Sequence, residues 1–175
     1  MEELVEKAKN KDKNAFSELI INVKKELYLV AKLKLKNEDD ISDAIQETLL
    51  KSYKNIRKLR KNNMFRTWII KILINECNNI YKRKRNNIVS YEEKEMENYI
   101  ATDTENDNME FDVLIRNLNY EEKMILTLYY CSKYTVKEIS EILKTNENTI
   151  KSKMVRARNK IRKQIEGDGE NNERY

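Results

Sequence analysis

The chain has 175 residues, a formal net charge of +5, no histidine, no proline and two glycines, at 167 and 169. The length fits one or two small domains, the missing imidazole removes the commonest general base, and no glycine-rich phosphate loop can be built. Cys77 and Cys131 stand alone without CxxC spacing, which argues against a disulfide framework, a bound metal or a cofactor and leaves an enzyme reading weak.

Mean hydropathy is −0.86 and 37% of residues are charged, so the cores are expected to be thin and the surfaces heavily charged. Helix breakers are nearly absent, which predicts an all-α fold with turns made by Asn, Asp and Ser. No apolar run reaches the ~20 residues of a membrane span. The opening MEELVEKAKNKDK lacks the apolar core of a signal peptide. The expectation is a cytoplasmic protein with no direct membrane insertion.

Helical periodicity begins at Phe16, and Leu19, Ile20, Val23, Leu27 and Val30 continue one face. After the polar break KNEDD, Asp40 or Ser42 can cap the next helix. That helix (42–56) carries two stripes. Ile41, Ile45, Thr48, Leu49, Ser52 and Tyr53 should face inward, while Asp43, Gln46, Glu47 and Leu50 form a second face. Periodicity alone makes that second face a solvated one with a stray leucine; a docking surface for another helix is the other reading.

From Thr48 to Asn75 there are eight basic residues and no acidic one. The basic turn RKLRKNN (57–63) leads into MFRTWIIKILINECNNIYKRKR, whose helical face is Phe65, Trp68, Ile69, Ile72 and Leu73, extended by Ile80. Trp68, the one tryptophan, lies among Arg66, Lys71 and the cluster YKRKR. Such an aromatic can stack on unpaired bases while its neighbours neutralise phosphate, or it can be core.

Between Tyr91 and Asp112 the balance reverses, to nine acidic residues and one lysine. Residues 86–110 lack sustained apolar periodicity and read as a flexible acidic linker. The basic–acidic–basic order suggests two nucleic-acid-binding modules on a tether.

Beyond it, Phe111, Leu114, Ile115 and Leu118 suggest a short helix, and Met124, Ile125, Leu128 and Tyr129 the apolar face of a second. Thr135 with Glu138 three residues on reads as a capping box, and Ile139, Ile142 and Leu143 face inward. KTNEN is a tight turn in which Asn146 can cap the last helix. There Ile150, Met154, Ala157 and Ile161 form the buried stripe. The stretch 149–165 holds seven basic residues and no acidic one. A short helix, a tight turn and a long basic helix make a helix-turn-helix. Asn148, Thr149, Lys151, Ser152 and Lys153 lie at the helix start, where base edges and phosphates are contacted. Arg156, Arg158, Lys160, Arg162 and Lys163 can clamp the DNA backbone.

With these motifs in place, the sequence resembles the bacterial RNA polymerase sigma factors, specifically the small extracytoplasmic-function group, from Asp12 to Ile165. DAIQETLLKSYKNI looks like the segment that docks on the polymerase clamp helices, which makes Asp43, Gln46, Glu47 and Leu50 the implied core-polymerase contact. FRTWIIKILIN looks like the melting segment, with Phe65, Trp68, Ile72 and Asn75 at matching places. NNIYKRKR, with Asn79, Lys82 and Arg83, falls where the family meets the downstream promoter element. Asn79 stands where an acid is usual and Lys82 where arginine is usual, so a family ion pair is not expected. EISEILKTNENTIKSKMVRARNKIRK looks like the module that reads the upstream element, with Glu138, Ile139, Leu143, Thr149, Ser152, Arg156, Ala157 and Arg158 matching. Lys144 and Asn148 replace common glycines; a left-handed non-glycine at 144 would cost ~1 kcal/mol.

The resemblance implies a factor that binds core RNA polymerase and promoter DNA, melts the promoter by binding alone, and answers to an anti-sigma factor. The implied organisation is a docking and melting domain at 1–85, the linker at 86–110, the helix-turn-helix domain at 111–166 and a disordered tail at 167–175. The competing readings are a stand-alone helix-turn-helix regulator, which leaves the 43–50 face and Trp68 unexplained, and an RNA-binding or nuclease protein, which the missing histidine and unclustered carboxylates disfavour.

Overall fold

The computed structural model describes residues 1–87 and 109–172. Most of the acidic linker expected at 86–110 therefore lies outside the described residues. Among those described there are helices and turns and no strand, as an all-α fold requires. They divide into two compact units, the first containing α1 to α4 and the second containing α5, α6, α8 and the start of α7.

In the first unit α1 (Glu2–Lys9) is short, and its Val5 and Ala8 are buried. The chain turns through Lys11, at φ 71°, and Asp12 caps α2 (Lys13–Lys34) by accepting from the Asn14 and Ala15 amides at 2.9 and 3.0 Å. Of the predicted stripe Phe16, Leu19, Val23, Leu27 and Val30 are buried, and Ile20 is half-buried at its border.

The helix α3 (Glu38–Asn55) starts earlier than expected. Asn37, not Asp40 or Ser42, is the cap, accepting from the Asp39 and Asp40 amides at 2.7 and 3.3 Å. Asp40 instead sits inside the first turn, where its charge suits the positive helix end, and pairs with Lys84 at 2.6 Å.

The inward stripe of α3 is also narrower than predicted. Ile41, Ala44, Thr48 and Ser52 are buried, Ile45 and Leu49 are half-buried, and Tyr53 is exposed. Small side chains set the distance between packed helices, so Ala44, Thr48 and Ser52 let α3 seat closely. Thr48 and Ser52 satisfy their hydroxyls locally, donating to the Ala44 and Leu49 carbonyls at 2.7 and 2.9 Å.

Two 3-10 turns (Ile56–Lys58 and Asn62–Met64) join α3 to α4 (Phe65–Asn87). Buried Phe65, Ile69, Ile70, Leu73, Cys77 and Ile80 complete the core. Trp68 and Ile72, expected on that face, sit half-buried at its border.

Beyond residue 108 come α5 (Met109–Ile115), α6 (Tyr120–Leu126), α7 (Val136–Leu143) and α8 (Glu147–Asn172). A capping box opens α6: the Asn119 side chain accepts from the Glu122 amide at 2.9 Å and Glu122 accepts from the Asn119 amide at 3.2 Å. The helix then widens into a π-turn, Thr127–Cys131. The extra residue per turn shifts the phase, so Leu126 and Leu128 are buried while Tyr129, expected inside, is exposed and meets Tyr130 edge-on at 5.0 Å.

Before α7, Thr135 and Glu138 form the predicted box, with Thr135 N–H to Glu138 at 2.8 Å and Glu138 N–H to the Thr135 hydroxyl at 3.2 Å. Helix α8 continues through both glycines to Asn172, where a disordered tail was expected from residue 167. Two glycines cost about 1 kcal/mol each in a helix and do not end this one.

Candidate nucleic-acid interface and docking face

On α3 the side chains of Asp43, Gln46, Glu47 and Leu50 are all exposed, Leu50 by 54%. Gln46 donates to Ser42 Oγ at 3.3 Å. Beside Leu50 a shallow cleft of about 310 Å³ runs between the start of α2 and the end of α3, lined by Lys13, Phe16, Ser17, Leu49, Leu50 and Tyr53. The face is thus acidic and polar on one side and apolar on the other, which is the composition a partner helix can cover.

The basic residues of the first unit have separate tasks. Arg66 is tied to Glu26, a buried carboxylate, through Nη2 at 2.8 Å and Nε at 3.2 Å. Arg66, expected at DNA, has its guanidinium on a buried carboxylate 40 residues away. Lys51 likewise holds buried Glu76 at 2.6 Å. Asn79 reaches the same carboxylate at 3.4 Å.

Lys82 and Arg83 are exposed at the far end of α4, Asn75 is exposed, and Lys71 and Trp68 are half-buried. Trp68 leans on Phe65, ring centres 6.1 Å apart, so part of it is core and part can meet a base. One cationic feature was read only as a turn. Between α3 and α4, Ile56 and Leu59 are buried while Arg57, Lys58, Arg60 and Lys61 are exposed. Two apolar anchors holding four cations outward is a signal present in the sequence itself.

Burial also sets protonation here. It pushes the Cys77 thiol up to about 12, so Cys77 is an inert core group. Burial pulls the Lys34 ammonium below its ordinary range, while its Nζ stands over the Tyr81 ring at 5.6 Å.

The turn between α7 and α8 uses Lys144 at φ 52°, the left-handed residue anticipated where glycine is common. Asn146 caps α8, accepting from the Asn148 amide at 2.8 Å. Ile150, Met154 and Ala157 face the core. Asn148, Thr149, Lys151, Ser152, Arg156 and Arg158 are exposed together. Ser152 donates to the Asn148 carbonyl at 2.8 Å and Arg158 to the Met154 carbonyl at 3.4 Å.

Lys153 is different: half-buried, it pairs with Glu121 of α6. Lys160 pairs with buried Glu122, at 2.8 Å. These two lysines fasten α8 to α6, and the remaining cations of the helix face away. Lys123 is buried on α6, and desolvation lowers its pKa. Among the described residues no group of side chains could hold a metal ion, and no helix is long and apolar enough to cross a membrane.

The family model of sigma-70 region 2 matches residues 19–87, and that of sigma-70, region 4 matches residues 108–161. The chain belongs to the sigma-70 family. The region 2 match holds most of α2 and all of α3 and α4, with the acidic-polar face and Trp68. The region 4 match holds the helix-turn-helix.

Among curated sigma factors, the chain is 27% identical over 148 residues to RNA polymerase sigma factor SigV of Bacillus subtilis (strain 168), covering 83% of this chain and 88% of that one. It is 28% identical over 181 residues to the ECF RNA polymerase sigma-E factor of Haemophilus influenzae, covering 93% and 94%. The fold matches solved CnrH, in complex with the cytosolic domain of CnrY, with a TM-score of 0.69, 16% identity and coverage of 95% and 97%. It also matches the sigma factor RpoE in complex with the anti-sigma factor NepR from Bartonella quintana, with a TM-score of 0.66, 22% identity and coverage of 86% and 96%.

Proposed function

We infer that this sigma-70 protein is an extracytoplasmic-function sigma factor: it binds core RNA polymerase, carries it to specific promoters and promotes their melting. The observation that carries the reading is that one chain holds both a region 2 with an exposed polar–apolar helix face and a region 4 with an outward cationic helix. A free-standing helix-turn-helix regulator needs only the second.

Asp43, Gln46, Glu47 and Leu50 dock on polymerase. Asn148, Thr149, Lys151, Ser152, Arg156 and Arg158 meet the upstream promoter element, the first of them at base edges and the arginines at phosphate. Trp68, Asn75, Asn79, Lys82 and Arg83, with Lys71 and the cations at 57–61, hold the opened strand. Arg66 and Lys153 support these surfaces from behind.

No covalent chemistry is involved. Stacking an unpaired base on an aromatic ring is worth ~1–3 kcal/mol, against ~1.4 kcal/mol for an average duplex step, so binding can drive opening. Two modules on one chain bind together only where both elements are correctly spaced. The protein works in the cytoplasm beside polymerase, and an anti-sigma factor binds it, as NepR is found in complex with RpoE of Bartonella quintana.

Run-off transcription with core polymerase tests the whole reading: promoter-specific transcripts are expected, and duplex binding without any initiation would leave only the regulator. Gln46→Ala with Glu47→Ala tests the docking face. Polymerase pull-down should weaken at unchanged helicity, and undiminished capture removes the docking assignment.

A further inference from the structure

The region 2 match begins at residue 19, so α1 lies outside it. Yet α1 packs on the connection between α3 and α4. Glu6 and Lys9, three apart and so on one helical face, grip a single side chain there. Lys9 Nζ donates to Asn62 Oδ1, and Asn62 Nδ2 donates to Glu6 Oε2 at 2.8 Å. An amide carries one acceptor and one donor edge, and α1 meets each edge with its complement. Asn62 therefore has one orientation.

Asn62 closes the stretch that presents Arg57, Lys58, Arg60 and Lys61 to solvent. The stretch has apolar anchors at Ile56 and Leu59 near its start, and backbone bonds run from Leu59 N–H to Ile56 O at 3.0 Å and from Met64 N–H to Lys61 O at 3.1 Å. Between Leu59 and Phe65 the polar grip of α1 restrains the Asn62 side chain. Exposed lysines and arginines bind phosphate best when their backbone is already fixed, because the ordering cost is then met in advance.

We propose that α1 is a brace, and that Asn62 is a positioning residue which, through Glu6 and Lys9, holds the cationic connection in the shape that takes the phosphates of a single DNA strand. The inference rests on the reading that this connection touches the opened strand.

The test uses the full chain and a fluorescent oligothymidylate, read by anisotropy. Glu6→Ala breaks the grip while making the surface more positive by one charge. General attraction predicts tighter binding; the brace predicts weaker binding, by about fivefold, the lower end of ordinary coupling. Asn62→Asp should weaken it similarly, since its carboxylate keeps Lys9 but repels Glu6. The double variant Glu6→Gln with Asn62→Asp has the parent charge and rebuilds the grip with donor and acceptor exchanged, so affinity should return.

Lys58→Ala with Arg60→Ala separates the two layers. If it weakens binding and Glu6→Ala does not, the brace is wrong and the contact stands. If it leaves binding unchanged, the strand contact fails and the brace falls with it. Glu6 is exposed, so its variant remains informative if Asn62→Asp does not fold.

Discussion

The two basic surfaces are built on different plans. In region 4 the cations come from one helix, and their geometry follows from the rise of α8 and its seat on α6. In region 2 they come from a connection and a helix end, and long-range contacts set their geometry: Asn62 to Glu6 and Lys9, Arg66 to Glu26, Lys84 to Asp40. A helix carries its own shape, so a surface on it can be altered residue by residue. A surface assembled from distant pieces changes when any support is lost, including supports that never meet DNA.

The largest expected effect lies on the local surface. Arg156→Ala with Arg158→Ala should weaken duplex promoter binding by about tenfold or more, at ~1–3 kcal/mol for a base contact and less for a phosphate contact. Single-strand affinity should fall far less, and equal losses on both would remove the division of labour between the regions.

On the assembled surface, Arg66→Ala strands buried Glu26. It should cost roughly 1–3 kcal/mol of stability, the penalty for an unsatisfied buried group, read as a lower midpoint in urea. An unchanged midpoint would mean Arg66 is available for DNA after all.

Alkaline pH sharpens the same contrast. The folded pKa of Cys77 is raised from 9.0 to about 12, so the native state keeps a proton that the unfolded chain releases. Stability is then intact below pH 9 and falls as pH rises toward the folded value, by up to ~1.4 kcal/mol per unit. Cys77→Ala should flatten that slope in region 2, and an unaltered slope assigns the loss elsewhere.

The smallest effect is Lys144→Gly. Relieving φ 52° should stabilise region 4 by at most ~1 kcal/mol, with promoter binding kept; a loss of stability would mean the lysine side chain is needed at the turn.

Local features were the legible ones. The α2 stripe, the Thr135–Glu138 box, the Asn146 cap and the left-handed residue at 144 each depend on neighbours within a few positions. The pairs Arg66–Glu26 and Lys153–Glu121 join residues 40 and 32 apart, and sequence alone offers many equivalent partners for each charge. That is why the sequence does not show that Arg66, Lys153 and Lys160, all expected at DNA, pair with carboxylates of neighbouring helices. Helix α1 escaped notice because Leu4, Val5 and Ala8 are too few to establish a period. The π-turn escaped because one inserted residue leaves composition unchanged and alters only which way Tyr129 points.

The seam of Ala44, Thr48 and Ser52 reaches beyond packing. These side chains govern how far α3 stands off the interior, and so the height at which Gln46, Glu47 and Leu50 are offered to a visitor. Enlarging any of the three by a few carbons would lift that whole row without altering one residue on it. Fit to a large assembly is thereby tuned from inside the protein, by groups the visitor never meets.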